Sequence, residues 1–308
     1  WAVGARLPIV MCVANRGVGA PRTVWNDQQD TIAQRDVGWI QLYANDHQQI
    51  IDTVIKAFKL AQTVSIPVMV CYDGYLLSHT YMPFEQPAQD LVDGFLPSFS
   101  PRHFLDPDNP GNFNTVTLPD IRPGVDGTMM PGYIEIRHNL QRDLRAAIDV
   151  YRDIDRDFAR TFGRGGCPFV EQYRCDDAEF VAVAIGSLSY QLRDVIDMMR
   201  DNGTPIGVVG VQMYRPFPSQ AVVEALAGRK CVVVFEKALS YGNQGALYAD
   251  IKAALYPAGQ RPQVHNYILG LGGREIKTAQ LLEALTLSCT APDSFGDEPR
   301  WIGLKLQE

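Results

Sequence analysis

Three loops in the N-terminal third carry side chains whose types and spacing could do chemistry. The first, Asn15-Arg16-Gly17-Val18-Gly19-Ala20-Pro21, joins glycines to an arginine. Glycine lets backbone approach a ligand closely, and a planar guanidinium can grip a carboxylate through two parallel hydrogen bonds. The same arginine could instead be tied to a neighbouring acidic loop. The second loop, Trp25-Asn26-Asp27-Gln28-Gln29-Asp30 with Gln34-Arg35-Asp36 after it, is dense in hydrogen-bonding groups and reads equally as a site or a subunit interface. The third holds Asp73-Gly74 and Ser78-His79. Adjacency in sequence does not make a nucleophile and its base converge, so His79 reads as structural or interfacial.

In the second half, Ser240-Tyr241-Gly242-Asn243-Gln244-Gly245 could seat an anion at a helix N-terminus, although a tight turn is the commoner explanation. Leu271-Gly272-Gly273-Arg274 carries the same two readings, and Arg215-Pro216-Phe217-Pro218 reads as an extended loop opening a helix. No P-loop, Rossmann fingerprint or metal-ligand cluster is legible. The cysteines at 12, 71, 167, 175, 231 and 289 lack the close spacing of zinc or iron–sulfur ligands and read as reduced structural residues.

The elements that must position these loops follow from periodicity. Continuous apolar runs at 7–14 and 66–72, with a shorter one at 38–43, predict strands of a mostly parallel sheet, the first buried on both faces. Helical spacing covers 47–60. Prolines and aromatic anchors, among them Pro97, Pro101, Pro107, Pro110, Phe95, Phe99, Phe104 and Phe113, then mark a long ordered connector. A charged helix is predicted from Tyr133 to Phe162, closed by the glycines at 163, 165 and 166. Strands at 179–185, 206–213, 231–235 and 264–269 alternate with helices at 188–200, 219–226 and 244–255, which predicts a doubly wound α/β unit with ligands at the C-terminal strand ends.

With 308 residues the chain can build two cores, and 46% hydrophobic against 20% charged residues is the balance of a globular protein. A net charge of -7 and the lack of a basic, aromatic-interleaved patch argue against nucleic-acid binding. No apolar stretch reaches the roughly 18–20 residues needed to span a bilayer, and no signal peptide is legible, so the expected compartment is the cytoplasm. The chain opens on Trp1 and enters a domain midway, which raises the expectation of upstream sequence.

Read together, the motifs go further. Leu7-Pro8-Ile9-Val10-Met11, Asn15-Arg16, Ala20-Pro21, Trp25-Asn26-Asp27, Gln29-Asp30 and Gln34-Arg35-Asp36 lead into Gly38-Trp39-Ile40-Gln41-Leu42-Tyr43. Asp73-Gly74, Ser78-His79, Phe162-Gly163-Arg164, Gly186-Ser187, Arg215-Pro216-Phe217-Pro218 and Tyr267-Ile268-x-Gly270-Leu271-Gly272-Gly273-Arg274 follow. This ordered series, spanning essentially the whole chain, resembles the α chain of the 2-oxoacid:ferredoxin oxidoreductases, most closely the pyruvate branch.

The resemblance implies a partial thiamine-diphosphate pyrimidine-binding-type α/β domain over 1–83, the connector and long helix over 84–176, and a transketolase C-terminal-like α/β domain over 177–308. It implies CoA-dependent oxidative decarboxylation of pyruvate to acetyl-CoA and CO2, with electrons passed through [4Fe-4S] clusters to ferredoxin or flavodoxin. Thiamine diphosphate with Mg²⁺ would be shared with a β subunit, and a γ subunit and a ferredoxin-like δ subunit would complete the complex, the chain being inactive alone. Carried over by position, Arg16 matches the arginine that binds the substrate carboxylate, with Asn15 and Gly17 shaping that pocket. The cofactor-activating glutamate is expected upstream, so no cofactor-binding residue is placed here. Arg16-Gly17 stands where many pyruvate enzymes have Arg-Ala, and Glu236-Lys237 departs from an expected Asp-Arg, which leaves the role of that loop open. Oxalate or another 2-oxoacid as substrate, a non-catalytic scaffold subunit, and an unrelated α/β binding protein remain as alternatives.

Overall fold

The computed structural model describes residues 1–98, 117–124, 127–291, 296 and 298–305. The connector residues Phe99, Pro101, Phe104, Pro107, Pro110 and Phe113 lie outside them. In chain order the first half forms β1 (Val10–Asn15), α1 (Gln29–Ile32), β2 (Ile40–Tyr43), α2 (His47–Val64), β3 (Val68–Asp73), α3 (Gln89–Phe95), a two-residue ladder of β4 (Arg122–Pro123) and β5 (Met129–Met130), and α4 (Tyr133–Phe162). The second half forms β6 (Val170–Tyr173), β7 (Phe180–Ile185), α5 (Leu188–Asp201), β8 (Ile206–Val211), β9 (Met213–Arg215), α6 (Ser219–Leu226), β10 (Cys231–Glu236), α7 (Ala246–Leu255), β11 (Gln263–Ile268), α8 (Thr278–Thr290) and β12 (Arg300–Trp301).

Two sheets result. The first has the order β1-β3-β2-β9, parallel except for β9. The second has the order β12-β11-β10-β7-β8-β6, parallel except for β6. The apolar runs explain the central strands, since β7, β8 and β10 are buried along nearly their whole length. β1 differs from expectation. It lies at a sheet edge, and Met11 and Cys12 are exposed, because a strand with a neighbour on one side only cannot be covered all round.

The long helix runs from Tyr133 to Phe162 as its periodicity predicts, and Gly163 ends it at φ 69°. Its stripe of Leu140, Tyr151, Ile154 and Phe158 packs with Leu60 of α2 and with Ile40, Leu42, Val68 and Val70 in one core. α2 begins on Asp46, whose carboxylate accepts from the Gln49 N–H at 2.7 Å. A second core joins the sheets themselves, with Tyr43, Met69 and Cys71 of the first against Val181, Val183, Val209 and Val234 of the second.

The predicted strand 206–213 breaks in two. β8 stops at Val211, and β9 crosses to pair with β2, with the Tyr43 N–H donating to the Gln212 carbonyl at 2.6 Å. The short α1 and α3, the edge strands β6 and β12, and α8 have no counterpart in the sequence reading. Among the described residues, no helix is long and apolar enough to cross a membrane.

One buried ion pair locks α2 to α4. Lys56 Nζ lies 2.8 Å from Asp155 Oδ1, with the side chains only 8% and 2% exposed, and Asp155 also accepts from the Gly166 N–H at 2.7 Å. Removing one partner of a buried pair strands the other charge, whereas replacing both with apolar groups need not destabilise. Asp155→Ala is therefore expected to cost about 3 kcal/mol in urea unfolding. Lys56→Met combined with Asp155→Leu should recover most of that loss. A double variant as unstable as the single one would show that the charge is not the cause.

Candidate active site

β1 and β3 end side by side, with Asn15 opposite Asp73. The Gly74 N–H donates to the Asn15 carbonyl at 3.1 Å. A Cβ at Gly74 would sit 2.3 Å from that same oxygen, so only glycine fits the turn. Asn15 is fully buried, and its Nδ2 donates to Asp30 Oδ1 at 2.7 Å and to Thr31 Oγ1 at 2.6 Å. The next backbone N–H, that of Arg16, donates to Asp30 Oδ2 at 2.9 Å. Arg16 also forms an isolated antiparallel bridge with Asn26. A Cβ at Gly17 would lie 2.4 Å from Thr23 Cγ2, so this turn too is packed to glycine's outline.

These bonds leave two vacancies. Arg16 Nε and Asn15 Oδ1 are buried with no hydrogen-bond partner. The Arg16 guanidinium makes no ion pair with any described carboxylate. A half-buried cation with free donors at the C-terminal end of a parallel sheet suits a carboxylate ligand. The expected tie between Arg16 and the acidic loop exists, yet it runs through the backbone and leaves the side chain available.

Beside this loop, Asp73 gathers donors from both sheets. Asp73 is fully buried, and Oδ1 accepts from Asn26 Nδ2 at 2.9 Å and Gln28 Nε2 at 3.1 Å. Oδ2 accepts from the Ser187 N–H at 2.8 Å, from the Ser187 hydroxyl, and from Lys237 Nζ at 3.4 Å. Burial pushes this carboxyl up, but the Lys237 ammonium and the Ser187 and Asn26 donors outweigh it and hold the group below the usual carboxylate range.

The remaining acids of the loops are engaged as well. Asp27 accepts from the N–H groups of Gln29 at 2.8 Å and Gly272 at 2.9 Å, tying the Leu271–Arg274 loop to the first sheet. Burial pushes the carboxyls of Asp27 and Asp30 up. The Gln28 N–H donates to the Lys237 carbonyl at 3.0 Å, and Leu239 donates to Gln29 Oε1 at 2.8 Å. A cleft of 790 Å³ opens nearby, lined in part by Trp25, Tyr75, Lys237 and Arg274, and Arg16 is not among its lining residues.

The other expected loops are held by the protein's own bonds. Ser78 Oγ accepts from the Tyr75 N–H at 2.9 Å and lies 2.8 Å from His79 Nδ1, an exposed turn with His79 stacked on Tyr75. The Ser240–Gly245 segment is a turn, and the anion at the α7 N-terminus is the protein's own Glu236, which accepts from the Leu247, Tyr248 and Asn266 donors at 2.7–3.0 Å. Burial raises the Glu236 carboxyl to about 7 against the pull of those donors. Arg215 pairs with Asp250 at 2.9 Å. Sequence reasoning named Asp73, Ser187 and Lys237 only as motif members and did not foresee that they meet. The one available signal was a lone acid ending an apolar strand.

Comparison with known proteins agrees over nearly the whole chain. Residues 1–138 match the family model described as pyruvate flavodoxin/ferredoxin oxidoreductase, thiamine diP-bdg, and residues 178–281 match pyruvate:ferredoxin oxidoreductase core domain II. The chain is 39% identical over 306 residues to pyruvate synthase subunit PorA of Methanothermobacter thermautotrophicus, covering 99% of this chain and 75% of that one. It is 38% identical over 282 residues to ketoisovalerate oxidoreductase subunit VorA of Pyrococcus abyssi, covering 91% and 69%. A 2-oxoglutarate:ferredoxin oxidoreductase structure from Magnetococcus marinus aligns with a TM-score of 0.57 at 16% identity over 94% of this chain and 50% of that one, a likeness of fold alone.

The Asp73 network predicts a pH signature. Because its folded pKa is lowered, Asp73 contributes stability that is present above the unfolded value of about 3.9 and is lost as pH falls through the folded value. Lys237→Met removes the cation, and burial then favours the protonated acid in the folded state. The variant should lose about 3 kcal/mol at pH 7, and the deficit should shrink towards about pH 4 as Asp73 takes up a proton. Urea unfolding at both pH values checks this; a deficit unchanged by pH would mean that the lysine does not set the Asp73 charge.

Proposed function

Because the chain belongs to the 2-oxoacid:ferredoxin oxidoreductase family as an α-type subunit, we propose that it supplies the substrate-carboxylate site of a complex that oxidises pyruvate. The observation that carries this reading is the half-buried Arg16 guanidinium, which has an unpartnered Nε and no counter-ion among the described residues. The reaction is CoA-dependent oxidative decarboxylation, giving acetyl-CoA and CO2 with electrons leaving through iron–sulfur clusters to ferredoxin. Arg16 holds and orients the carboxylate that is lost, while Asn15 and Gly17 shape the wall beside it. Residues 1–83 and 177–308 act as the two α/β domains, with 84–176 joining them, except that β6 lies in the second sheet and β9 in the first.

Thiamine diphosphate enters this reading through the description of the matching family model. The described residues hold no group of three metal-ligating side chains, and Asp27, Asp30 and Asp73 are all engaged by protein donors. The described residues therefore do not make up a seat for the diphosphate and its Mg²⁺, and we assign that end of the cofactor, and the [4Fe-4S] clusters, to partner chains.

A ketoisovalerate oxidoreductase subunit among the relatives gives a second substrate reading, a branched 2-oxoacid. The test is CoA-dependent reduction of a low-potential viologen by the native complex with pyruvate, ketoisovalerate, 2-oxoglutarate and oxalate. Arg16→Ala should lower kcat/KM for the preferred 2-oxoacid about a hundredfold, the effect of losing one charged anchor at a reacting centre. Turnover equal to wild type in that variant would remove Arg16 from the site. Failure of every 2-oxoacid in a complete complex would favour a scaffold subunit.

A further inference from the structure

The Arg16 loop is aimed by a residue to which the reading above gives no role. Asp30 stands in the first turn of the four-residue helix α1, half-buried below the end of β1. Its two carboxylate oxygens take two consecutive groups of the emerging chain. Oδ1 accepts from the Asn15 side-chain amide at 2.7 Å, and Oδ2 accepts from the Arg16 backbone N–H at 2.9 Å. The Thr31 N–H is a third donor to the carboxylate, reaching Oδ1 at 2.7 Å. The Asn15 amide is itself held from beneath. Asn15 Nδ2 also reaches Thr31 Oγ1 at 2.6 Å, and Thr31 Oγ1 lies 2.7 Å from the hydroxyl of the buried Tyr43.

This arrangement has a chemical consequence for Arg16. Asp30 is the carboxylate bonded to the Arg16 main chain, yet the Arg16 side chain makes no ion pair with it. Three donors already occupy its oxygens, so its charge fixes the direction in which the loop leaves β1 without quenching the guanidinium. We infer that Asp30 is a positioning residue that holds Asn15 and the Arg16 backbone so that the Arg16 guanidinium meets a substrate carboxylate, an inference that rests on the carboxylate-binding reading of Arg16. A supporting acid of this kind acts only through the group that it aims, and small misplacements of such a group are costly.

An amide in place of the acid keeps the volume and one acceptor but turns an N–H₂ towards one of the donors. The experiment compares wild type, Asp30→Asn, Arg16→Ala and the double variant in the native complex, measuring kcat and KM separately for the 2-oxoacid and for CoA. Asp30→Asn should raise the 2-oxoacid KM about tenfold, leave the CoA KM as in wild type, and change kcat/KM less than twofold once Arg16 is already alanine. Equal losses in both backgrounds would overturn the inference, since Asp30 would then act independently of Arg16. A wild-type KM in Asp30→Asn beside an impaired Arg16→Ala would overturn it too, with the carboxylate reading intact. Wild-type behaviour of Arg16→Ala would instead remove that reading and the inference together. If Asp30→Asn fails to assemble, Asp30→Ser, which deletes the carboxylate without adding bulk, is judged by the same criteria.

Discussion

A buried carboxylate must be surrounded by donors or it will not stay buried, and Asp73 makes that requirement an organising constraint for the whole site. It is fully buried where β3 ends, and desolvation alone would drive it to protonate. Its bonds come from Asn26 and Gln28 in the loop before α1, from Ser187 in the turn before α5, and from Lys237 after β10. Four chain segments from two sheets thus meet at one side chain. The ends of β3, β7 and β10 converge because separating them would expose or strand a charge. A Cβ on Gly186 would lie 2.8 Å from both Asp73 Oδ2 and Gln28 Nε2, so the packing leaves that turn no room for a side chain.

A second polar cluster steadies the same junction. Glu171 on β6 accepts from Asn45 Nδ2 and Gln49 Nε2 at 3.2 Å and from Arg193 Nη2 at 2.6 Å, bridging the end of β2 to α5. With the apolar core shared by Tyr43, Met69, Val183 and Val234, the two sheets are held by burial in the middle and by charge at the strand ends. Against this background of engaged acids, Arg16 has no ion pair among the described residues. Asp27, Asp30 and Asp73 all spend their oxygens on protein donors, and none of them pairs with the Arg16 guanidinium.

Much of the fold was legible because local patterns decide it. Tyr133–Phe162 and Ser219–Leu226 show their helical periodicity plainly, and Gly163 marks the end of the first. The exposure of Met11 and Cys12 was not legible, because an apolar run looks the same at the edge of a sheet and at its centre. Nor was the crossing of β9 to β2, since nothing in Val211-Gln212-Met213 announces that the chain changes sheets. The site was half legible. Arg16 and its glycines carry a local signature, whereas Asp73, Ser187 and Lys237 acquire meaning only by meeting across more than a hundred residues of chain, which spacing cannot show.

The Glu236-Lys237 pair, where the family resemblance led us to expect Asp-Arg, illustrates how length and charge can be divided between neighbours. Glu236 points to one side and caps α7 through the Leu247 and Tyr248 N–H groups. A carboxylate at a helix N-terminus satisfies donors that would otherwise be buried and orphaned. Lys237 points to the other side and meets Asp73 as a single charge at 3.4 Å. A lysine offers no planar fork to grip both oxygens of a carboxylate, so the rest of the shell must come from Asn26, Gln28 and Ser187. The loop after β10 is in this way fixed at both residues. It lends Lys237 to the Asp73 shell as a structural cation, whereas Arg16 makes no ion pair with any described carboxylate.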